Sequence, residues 1–303
     1  MKVLICDSVA DEALAKMKAA GLDVTVKTGM KEEDLVKTVP GFDAIVVRSA
    51  TKVTAPVVAA MDKMKVIVRG GVGLDNIDQQ AAKAKNIKVL NTPTASSASV
   101  AELTIGHMFA LARFIPQATV SIRSGGWPKK EMKGIELAGK TLGIIGIGKI
   151  GTEVAWRAHA LGMKVIAWDK YIKSSPLPSM VTMISKDELL AKSDFITLHI
   201  PFIKAEGPTL TADDFAKMKK GVFLVNCARG GTVDEKALLE ALNNGTVTRA
   251  GLDVFEKEPP VDNALANHSN VYVTPHIGAS TSEGQFRVGM EVADLLINEA
   301  QLG

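Results

Sequence analysis

Cysteine is scarce in this sequence, and so are aromatic residues and long hydrophobic runs. The 303 residues include two cysteines, Cys6 and Cys227, and 5% aromatic residues. Each cysteine lies in or beside a predicted buried strand, so we expect two core thiols rather than a disulfide framework. No apolar segment approaches the length of a membrane span, and the apolar start of the chain is too short for a signal peptide. These absences favour a cytoplasmic protein that has no membrane partner.

The sequence also lacks a strong charge of either sign. Its formal net charge is +3, and no long run of like charges occurs. A balance this small argues against the basic surface of a nucleic-acid-binding protein. The histidines and cysteines show neither HxxxH nor CxxC spacing, so we expect no metal site.

Glycine, by contrast, is abundant and forms the most informative motif of the chain. The apolar run Leu142–Ile147 predicts a buried parallel strand, a helical pattern follows it to Leu161, and Lys164–Trp168 predicts the next strand. Glycines with GxGxxG spacing stand where the first strand meets the helix: Gly146, Gly148 and Gly151. In a βαβ unit this spacing permits a tight turn, close approach of a pyrophosphate, and close packing of helix on strand.

Asp169 follows the second strand, about 20 residues past the glycines, where dinucleotide sites carry an acid that binds the adenosine ribose. Its carboxylate would repel a 2′-phosphate, so the expected cofactor is NAD rather than NADP. The free N–H groups at the helix N-terminus would face the pyrophosphate. Glycines that serve only an ordinary tight turn are the alternative, and the demanding order of strand, turn, helix, strand and acid weighs against it.

Strand-like and helix-like runs alternate along almost the whole chain, which favours parallel sheets with helices on both faces. Ser99 and Glu102 form a Ser-x-x-Glu capping box that predicts the start of a long helix, and Pro116 is expected to end or kink it. A chain of this length exceeds a single hydrophobic core. We therefore predict two doubly wound parallel-sheet α/β lobes, one of them a Rossmann dinucleotide-binding domain, with a cleft between them.

Three chemically active side chains follow predicted strands of the dinucleotide-binding lobe. Arg229 comes after the strand Val222–Val225, and His276 leaves the strand Val271–Val273. Glu258 lies in the segment that follows the strand Arg249–Leu252. Because ligands bind beyond the carboxyl ends of parallel strands, we expect the three to converge at one edge.

Oxidation of a 2-hydroxy acid by NAD needs this combination of groups. An imidazole titrates near neutral pH and can take the hydroxyl proton, which makes His276 the candidate general base. A carboxylate from Glu258 would fix the tautomer of that ring. The Arg229 guanidinium can hold the substrate carboxylate with two N–H groups and polarise the carbonyl oxygen.

Simpler interpretations of the same residues remain open at this point. His276 could be a structural histidine with its hydrogen bonds satisfied, and Glu258 could be a solvated loop acid. Arg229 could merely pair with Asp253. His199, at the end of an apolar strand, is expected to pack near the cofactor rather than to act in catalysis.

Longer motifs stand in order along the chain and resemble one family. They are Val47–Thr54, Gly71–Asp78, Asn91–Pro93, Ala101–Thr104, Asn226–Gly231, Leu252–Phe255, Glu258–Pro260 and His276–Thr281. With these motifs, over nearly its whole length, the chain resembles the D-2-hydroxyacid dehydrogenase family. The resemblance implies Arg229, Glu258 and His276 as the catalytic residues, and a homodimer formed through the helical region after Ser99.

The resemblance also implies a division into domains. Residues 1–94 and 281–303 would form a discontinuous, flavodoxin-like substrate-binding domain, and residues 95–280 would form the NAD-binding Rossmann domain. Together with the glycine motif it gives the expected cofactor-binding set: Gly146, Gly148, Lys149, Ile150, Gly151, Asp169, His199, Cys227, Ala228, Arg229, Asp253, His276, Gly278 and Ala279. The expected substrate-binding set is Arg48, Arg69, Gly71, Val72, Gly73, Arg229 and His276.

The substrate follows from the resemblance and from basic side chains in the first lobe. Arg48, Lys52 and Arg69 favour a phosphorylated acid, so we expect 3-phospho-D-glycerate to be oxidised to 3-phosphohydroxypyruvate, the reaction that opens serine biosynthesis. Reduction of hydroxypyruvate or glyoxylate is the alternative, and an NAD-sensing binding protein without turnover is the alternative from another class. The sequence ends at Gly303 without the serine-binding module of many relatives, so feedback inhibition by serine is not expected.

Two positions depart from the pattern of the family. Val72 and Ile200 stand where relatives often have threonine, which puts two hydroxyl contacts with the cofactor in doubt. The segment Phe202–Thr209 also departs from the usual threonine-containing turn.

Overall fold

The computed structural model describes residues 1–302, which fall into two compact units. One unit comprises Met1–Ser97 and the segment that begins at Ala279, and the other comprises Ala98–Gly278. The predicted fold class is confirmed, because each unit is an α/β layer built on a parallel sheet.

The sheet of the first unit has five parallel strands. They are β1 (Lys2–Ile5), β2 (Asp23–Val26), β3 (Ala44–Val47), β4 (Val66–Arg69) and β5 (Lys88–Asn91), in the order β2-β1-β3-β4-β5. This is the order of flavodoxin-like sheets. The helices that connect these strands are α1 (Asp11–Ala19), α2 (Glu32–Thr38), α3 (Ala55–Ala60) and α4 (Gln79–Ala84).

The second unit contains six helices and seven strands before the chain returns to the first. The helices are α5 (Ser97–Arg113), which begins at the boundary, α6 (Ile115–Arg123), α7 (Lys149–Ala160), α8 (Lys186–Lys192), α9 (Ala212–Ala216) and α10 (Glu235–Asn243). The strands are β6 (Thr141–Ile145), β7 (Lys164–Trp168), β8 (Val181–Met183), β9 (Phe195–Leu198), β10 (Val222–Asn226), β11 (Val247–Leu252) and β12 (Val271–Val273).

All seven strands run parallel, in the order β12-β11-β10-β9-β6-β7-β8. The order reverses between β6 and β9, as it does at the centre of a Rossmann sheet. At such a reversal the connecting helices leave on opposite faces of the sheet and open a crevice at the carboxyl ends of the strands. The glycine motif follows β6 and therefore lies at that crevice.

The last helix, α11 (Ser282–Leu302), completes the first unit. Val3 and Ile5 of β1 face one side of the sheet and pack in a cluster with Val288, Val292 and Leu296 of α11. Leu4 faces the other side and packs in a separate cluster. Because alternate side chains of one strand are buried on opposite faces, the sheet needs helices on both sides.

The start of α5 corrects one prediction from the sequence. The helix begins at Ser97, so Ser99 lies inside it and is not its N-cap, and Glu102 pairs instead with Arg157 Nη2 at 3.2 Å. The break after α5 was predicted from Pro116. Phe114, between the two helices, adopts φ +57°, and Pro116 lies in the first turn of α6. The axes of α5 and α6 differ by 61°.

No single helix among residues 1–302 is long and apolar enough to cross a membrane. Helices α5 and α6, which are bent relative to each other, have the length and apolar composition of a membrane span only when they are counted as one segment. Much of α5 is buried within its own unit, including Ala101, Met108 and Leu111. Burial in the protein core therefore accounts for the apolar character of α5.

Candidate active site

The glycine turn between β6 and α7 has the geometry of a nucleotide-binding turn. Gly146 has φ +95°, and a Cβ there would lie 2.7 Å from the carbonyl oxygen of His199. A Cβ on Gly151 would lie 2.1 Å from the carbonyl oxygen of Gly146, so only glycine lets α7 pack this closely on the turn. A Cβ on Gly148 would meet nothing within 4 Å, which leaves open space beside the backbone.

The N-terminus of α7 can accept an anion in that space. Gly148 is the N-cap and has no side chain to satisfy the first N–H groups, so these groups and the helix dipole are available to a pyrophosphate. Lys149 and Ile150 form the first turn of the helix. The arrangement fits the NAD that the sequence predicts.

Asp169 lies directly after β7, beside the glycine turn. Its Oδ2 accepts the N–H of Ile147 at 3.0 Å, and its Oδ1 accepts the N–H groups of Tyr171 and Ile172 at 2.8 and 2.9 Å. The carboxylate is thus fixed in one orientation by the backbone. Because a carboxylate has about four lone-pair sites, it keeps capacity for a ribose hydroxyl.

His199 follows β9 and closes the other side of the turn. Its Nε2 lies 3.1 Å from Thr197 Oγ1, and its Nδ1 is buried without a hydrogen-bond partner among the described residues. Burial lowers the pKa of His199 to about 3, so the ring is neutral at physiological pH. A neutral buried ring with an unused nitrogen suits contact with a ligand and does not suit acid–base catalysis.

The histidine and carboxylate expected at the reacting centre are in direct contact. Nδ1 of His276 lies 2.7 Å from Oε2 of Glu258, while Oε1 of Glu258 accepts the N–H of Phe255 at 3.1 Å. The His276 side chain is 40% exposed and that of Glu258 is 38% exposed, so both are open to a ligand. With Nδ1 used by Glu258, Nε2 is the nitrogen that can exchange a proton.

The electrostatics of Glu258 link it to the other two candidates. Burial raises the pKa of its carboxyl, but hydrogen bonds from His276 and Phe255 and the charges of His276 and Arg229 lower it, and the net pKa is below its ordinary value. Glu258 is therefore ionised at neutral pH. Arg229 lies directly beyond β10, and its Nη1 donates to the Ala228 carbonyl at 2.8 Å.

The turn that carries His276 is held from below by Asp253. His276 has φ +53°, in the left-handed region that residues other than glycine rarely adopt. Asp253 is 1% exposed and lies directly after β11. Its carboxylate accepts the N–H groups of Ile277 and Gly278 at 2.9 and 2.8 Å, which fixes the chain on the far side of His276.

The structure thus places the sequence-predicted residues in two groups. Those of the second unit lie after the carboxyl ends of its strands: Gly146–Gly151 after β6, Asp169 after β7, His199 after β9, Cys227–Arg229 after β10, Asp253 after β11, and His276 and Gly278 after β12. Ala279 lies where the chain returns to the first unit. Cys227 is buried, and burial raises the pKa of its thiol.

The predicted substrate residues of the first unit lie at the carboxyl ends of β3 and β4. Arg48 donates from Nη1 to the carbonyl of Ser8 at 3.3 Å, and burial lowers the pKa of its guanidinium. The loop Gly71–Gly73 follows Arg69, and a Cβ on Gly71 would overlap the Arg69 guanidinium. That guanidinium therefore lies directly on the loop backbone, and Lys52 is exposed.

Sequence reasoning missed His107, which is buried in α5 and contacts Thr274 beneath the His276 turn. No spacing signal marks it, because its partners come from distant parts of the chain. A cavity of about 360 Å³ in the second unit lies at the amino ends of its strands and includes Lys133, Lys140 and Arg249. None of the predicted site residues lines that cavity, so cavity size alone would not have located the site.

The sequence matches one family model and several named relatives. Residues 105–278 match the family model described as "D-isomer specific 2-hydroxyacid dehydrogenase, NAD binding domain". The chain is similar to a D-3-phosphoglycerate dehydrogenase of Archaeoglobus fulgidus, with 48% identity over 99% of this chain and 58% of that protein. It is also similar to a hydroxypyruvate reductase of Thermotoga maritima, with 52% identity over 93% of this chain and 92% of that protein.

Solved structures agree with these relatives. A glyoxylate reductase from Paecilomyes thermophila superposes with a TM-score of 0.88 and 33% identity, over 99% of this chain and 96% of that one. A D-lactate dehydrogenase from Aquifex aeolicus, in complex with NAD and lactic acid, gives 0.84 and 30% over 99% and 96%. The chain spans little more than half the length of the phosphoglycerate dehydrogenases that it matches.

Proposed function

The chain belongs to the D-isomer specific 2-hydroxyacid dehydrogenase family, and from this premise we propose that it oxidises 3-phospho-D-glycerate to 3-phosphohydroxypyruvate with NAD. The observation that carries the proposed chemistry is the 2.7 Å contact between His276 Nδ1 and Glu258 Oε2 at the edge where Arg229 also lies. A paired imidazole and carboxylate at the same sheet edge as the nucleotide turn would provide a proton acceptor for a reaction in which NAD is the oxidant. The reaction would supply the first intermediate of serine biosynthesis.

The glycine turn and Asp169 would hold NAD, which would supply the acceptor for the hydride from C2 of the substrate. His276 takes the hydroxyl proton on Nε2 as the C–O bond becomes a carbonyl. Glu258 holds Nδ1–H, so that the free nitrogen faces the substrate, and its charge stabilises the imidazolium that forms. Arg229 binds the substrate carboxylate and polarises the oxygen at C2. In the reverse direction His276 returns the proton.

The phosphorylated substrate is supported by the cations of the first unit. Arg48 and Arg69 lie at the carboxyl ends of neighbouring strands, next to the backbone N–H groups of Gly71–Gly73. Two guanidinium groups beside a loop of amides suit an acid that carries both a carboxylate and a phosphate. The relatives named D-3-phosphoglycerate dehydrogenase include one with 49% identity from Methanocaldococcus jannaschii.

Reduction of hydroxypyruvate is the second candidate function. The specific observation in its favour is the Thermotoga maritima hydroxypyruvate reductase, of which this chain covers 92%. The same imidazole–carboxylate pair serves both reactions, so that pair does not distinguish them. The distinction rests on the side chains of the first unit.

A panel of substrates tests the proposal. Oxidation of 3-phosphoglycerate and of glycerate with NAD or NADP is followed at the nicotinamide absorbance band. A higher kcat/KM for the phosphorylated acid is expected, and a preference for glycerate would transfer the assignment to hydroxypyruvate reduction. NAD binding without turnover of any 2-hydroxy acid would indicate an NAD-sensing protein instead.

The proposed partner is a second copy of the chain. Helix α6 has no buried residue, and Ile115, Val120 and Ile122 on it are 51%, 67% and 51% exposed. Trp127, just beyond the helix, is 79% exposed. Apolar side chains gathered on one exposed segment are typical of an interface between subunits. We name these four residues the α6 surface.

A further inference from the structure

A buried hydrogen-bonded chain of three side chains lies beneath the turn that carries His276. Nε2 of His107, on α5, is 3.1 Å from Oγ1 of Thr274, and Thr274 Oγ1 is 2.6 Å from Oδ1 of Asp253. His107 is 5% exposed and Asp253 is 1% exposed. These hydrogen bonds therefore connect α5, the end of β12 and the end of β11 within the second unit.

The direction of each hydrogen bond follows from the Asp253 carboxylate, which can only accept. Thr274 has a single hydroxyl proton, and it goes to Asp253, which also accepts backbone N–H groups from Ile277 and Gly278. Thr274 Oγ1 must then act as acceptor toward His107. His107 therefore carries its proton on Nε2.

The surroundings of His107 agree with this tautomer. Burial lowers the pKa of His107, although the charge of Asp253 acts in the opposite direction, so the ring is neutral at pH 7 and has one proton. On the other side of the ring, a Cβ added to Gly251 would lie 2.8 Å from Nδ1. Glycine at that position of β11 leaves the room that the ring needs.

The hydrogen bonds among His107, Thr274 and Asp253 act on the turn that carries His276, and the backbone of that turn is strained. His276 has φ +53°, a backbone conformation that is strained for a residue other than glycine. The main anchors of the turn are the two N–H groups held by Asp253. If the Asp253 carboxylate rotated, the imidazole of His276 would move with the turn.

We propose that Thr274 and His107 are positioning residues: their fixed hydrogen bonds orient the Asp253 carboxylate, which sets the His276 turn and so aims Nε2 of His276 at the substrate. Neither residue touches the substrate in this arrangement. The inference rests on the proposed function for its catalytic consequence. Its geometric part, the Nε2–H tautomer of His107, can be measured without turnover.

Thr274→Val tests the hydroxyl with little change of shape. We expect kcat to fall about 10- to 100-fold, because a misplacement of about 1 Å costs on that order, with the KM for the acid changed much less. Thr274→Ser keeps the hydroxyl and is expected to restore most of kcat. His107→Leu, which removes the donor, is expected to lower kcat less than Thr274→Val, and His107→Gln, which keeps an N–H donor, to recover part of it.

Thr248→Val is the matched control. Thr248 lies on β11 of the same unit and is partly buried like Thr274, and its Oγ1 donates to the backbone carbonyl of Gly221 at 2.9 Å. It lies toward the amino end of β11, away from the His276 turn. We expect it to reduce the melting temperature as Thr274→Val does and to leave kcat unchanged.

Two results would overturn the inference. One is a wild-type kcat in Thr274→Val, or a loss of kcat that Thr248→Val reproduces and Thr274→Ser does not rescue. The other is a ¹⁵N signal from His107 that shows the proton on Nδ1. Failure of the proposed function gives a different result. If the wild-type protein prefers another 2-hydroxy acid, the same variants are compared on that acid. If it turns over no 2-hydroxy acid, His107 still shows the Nε2–H tautomer.

Discussion

At the scale of single residues, the contact between His276 and Glu258 gives the site its acid–base character. Glu258 holds one ring nitrogen, and the left-handed backbone of His276 presents the other outward. Each partner therefore has a separable effect: the imidazole moves the proton, and the carboxylate sets the pH range in which it does so.

His276→Ala should lower kcat by roughly two to four orders of magnitude, because it removes proton transfer from the reacting hydroxyl. The affinity for NAD should change little. Steady-state kinetics with 3-phosphoglycerate and a fluorescence titration with NADH measure the two quantities. Unaltered turnover would reject the role of His276, and an equal loss of NADH affinity would indicate a structural defect instead.

Glu258→Gln should shift the pH profile of oxidation rather than abolish binding. The native carboxylate stabilises the protonated ring, so its loss lets the ring remain a base at lower pH. The acidic limb of the kcat/KM profile is therefore expected to move to lower pH. Glu256→Gln, a change of the same kind in the same segment, is the control, and identical profiles for Glu258→Gln and the wild type would contradict the pairing.

Sequence reasoning reached these residues because each follows a strand and has a chemistry that the reaction needs. It expected Asp253 to contact the cofactor or to pair with Arg229. The structure shows what no spacing could: its carboxylate is hydrogen-bonded to Thr274, Ile277 and Gly278. The Asp253 carboxylate acquires these contacts only because β11 and β12 lie side by side in the folded sheet. Residue spacing along the sequence does not reveal that pairing.

At the scale of elements, two serine–glutamate pairs show the limit of a local signature. Ser99 and Glu102 match the capping-box pattern, but the helix begins two residues earlier. Ser185 and Glu188, which sequence analysis did not select, form a complete capping box at the start of α8. The pattern gives a possible first turn, and the packing of the apolar face decides whether the helix begins there.

Short or exposed elements were missed for a related reason. Strand β8 has only three residues, and α6 is a nine-residue helix that buries none of its side chains, so neither is marked by a buried apolar run. The predicted strands of the second sheet lie within two residues of the bounds of β6, β7, β10, β11 and β12, because their apolar runs are largely buried.

The glycine turn yields a paired prediction for β6 and α7. Gly151→Ala should destabilise the second unit by about 1–3 kcal/mol, because its Cβ would lie 2.1 Å from the Gly146 carbonyl oxygen. Gly148→Ala should leave stability nearly unchanged and weaken NAD binding, because its Cβ enters open space beside the helix N-terminus. Thermal unfolding and NADH titration separate the two effects. The same loss of stability in both variants would refute this interpretation of the turn.

At the scale of the whole molecule, the α6 surface predicts self-association. The protein should sediment at twice its chain mass of 32.1 kDa, and a double change, Val120→Glu with Ile122→Glu, should shift it to the single mass. Val26→Glu is the control, since Val26 is also a half-exposed valine but lies on β2 of the first unit. Wild-type protein that sediments as one chain would exclude the proposed dimer, and dissociation by the control variant would remove α6 as its cause.

The division of the chain has a consequence for the order in which it can fold during synthesis. Residues 1–97 of the first unit are translated before the second unit, but α11, which helps to cover one face of their sheet, is translated after it. Until then Val3, Ile5, Val46 and Val68 have only the part of their helical cover that α1 supplies, while the second unit can close its own core. A chain truncated after residue 281 should therefore show a protease-resistant second unit attached to a more readily cleaved first one.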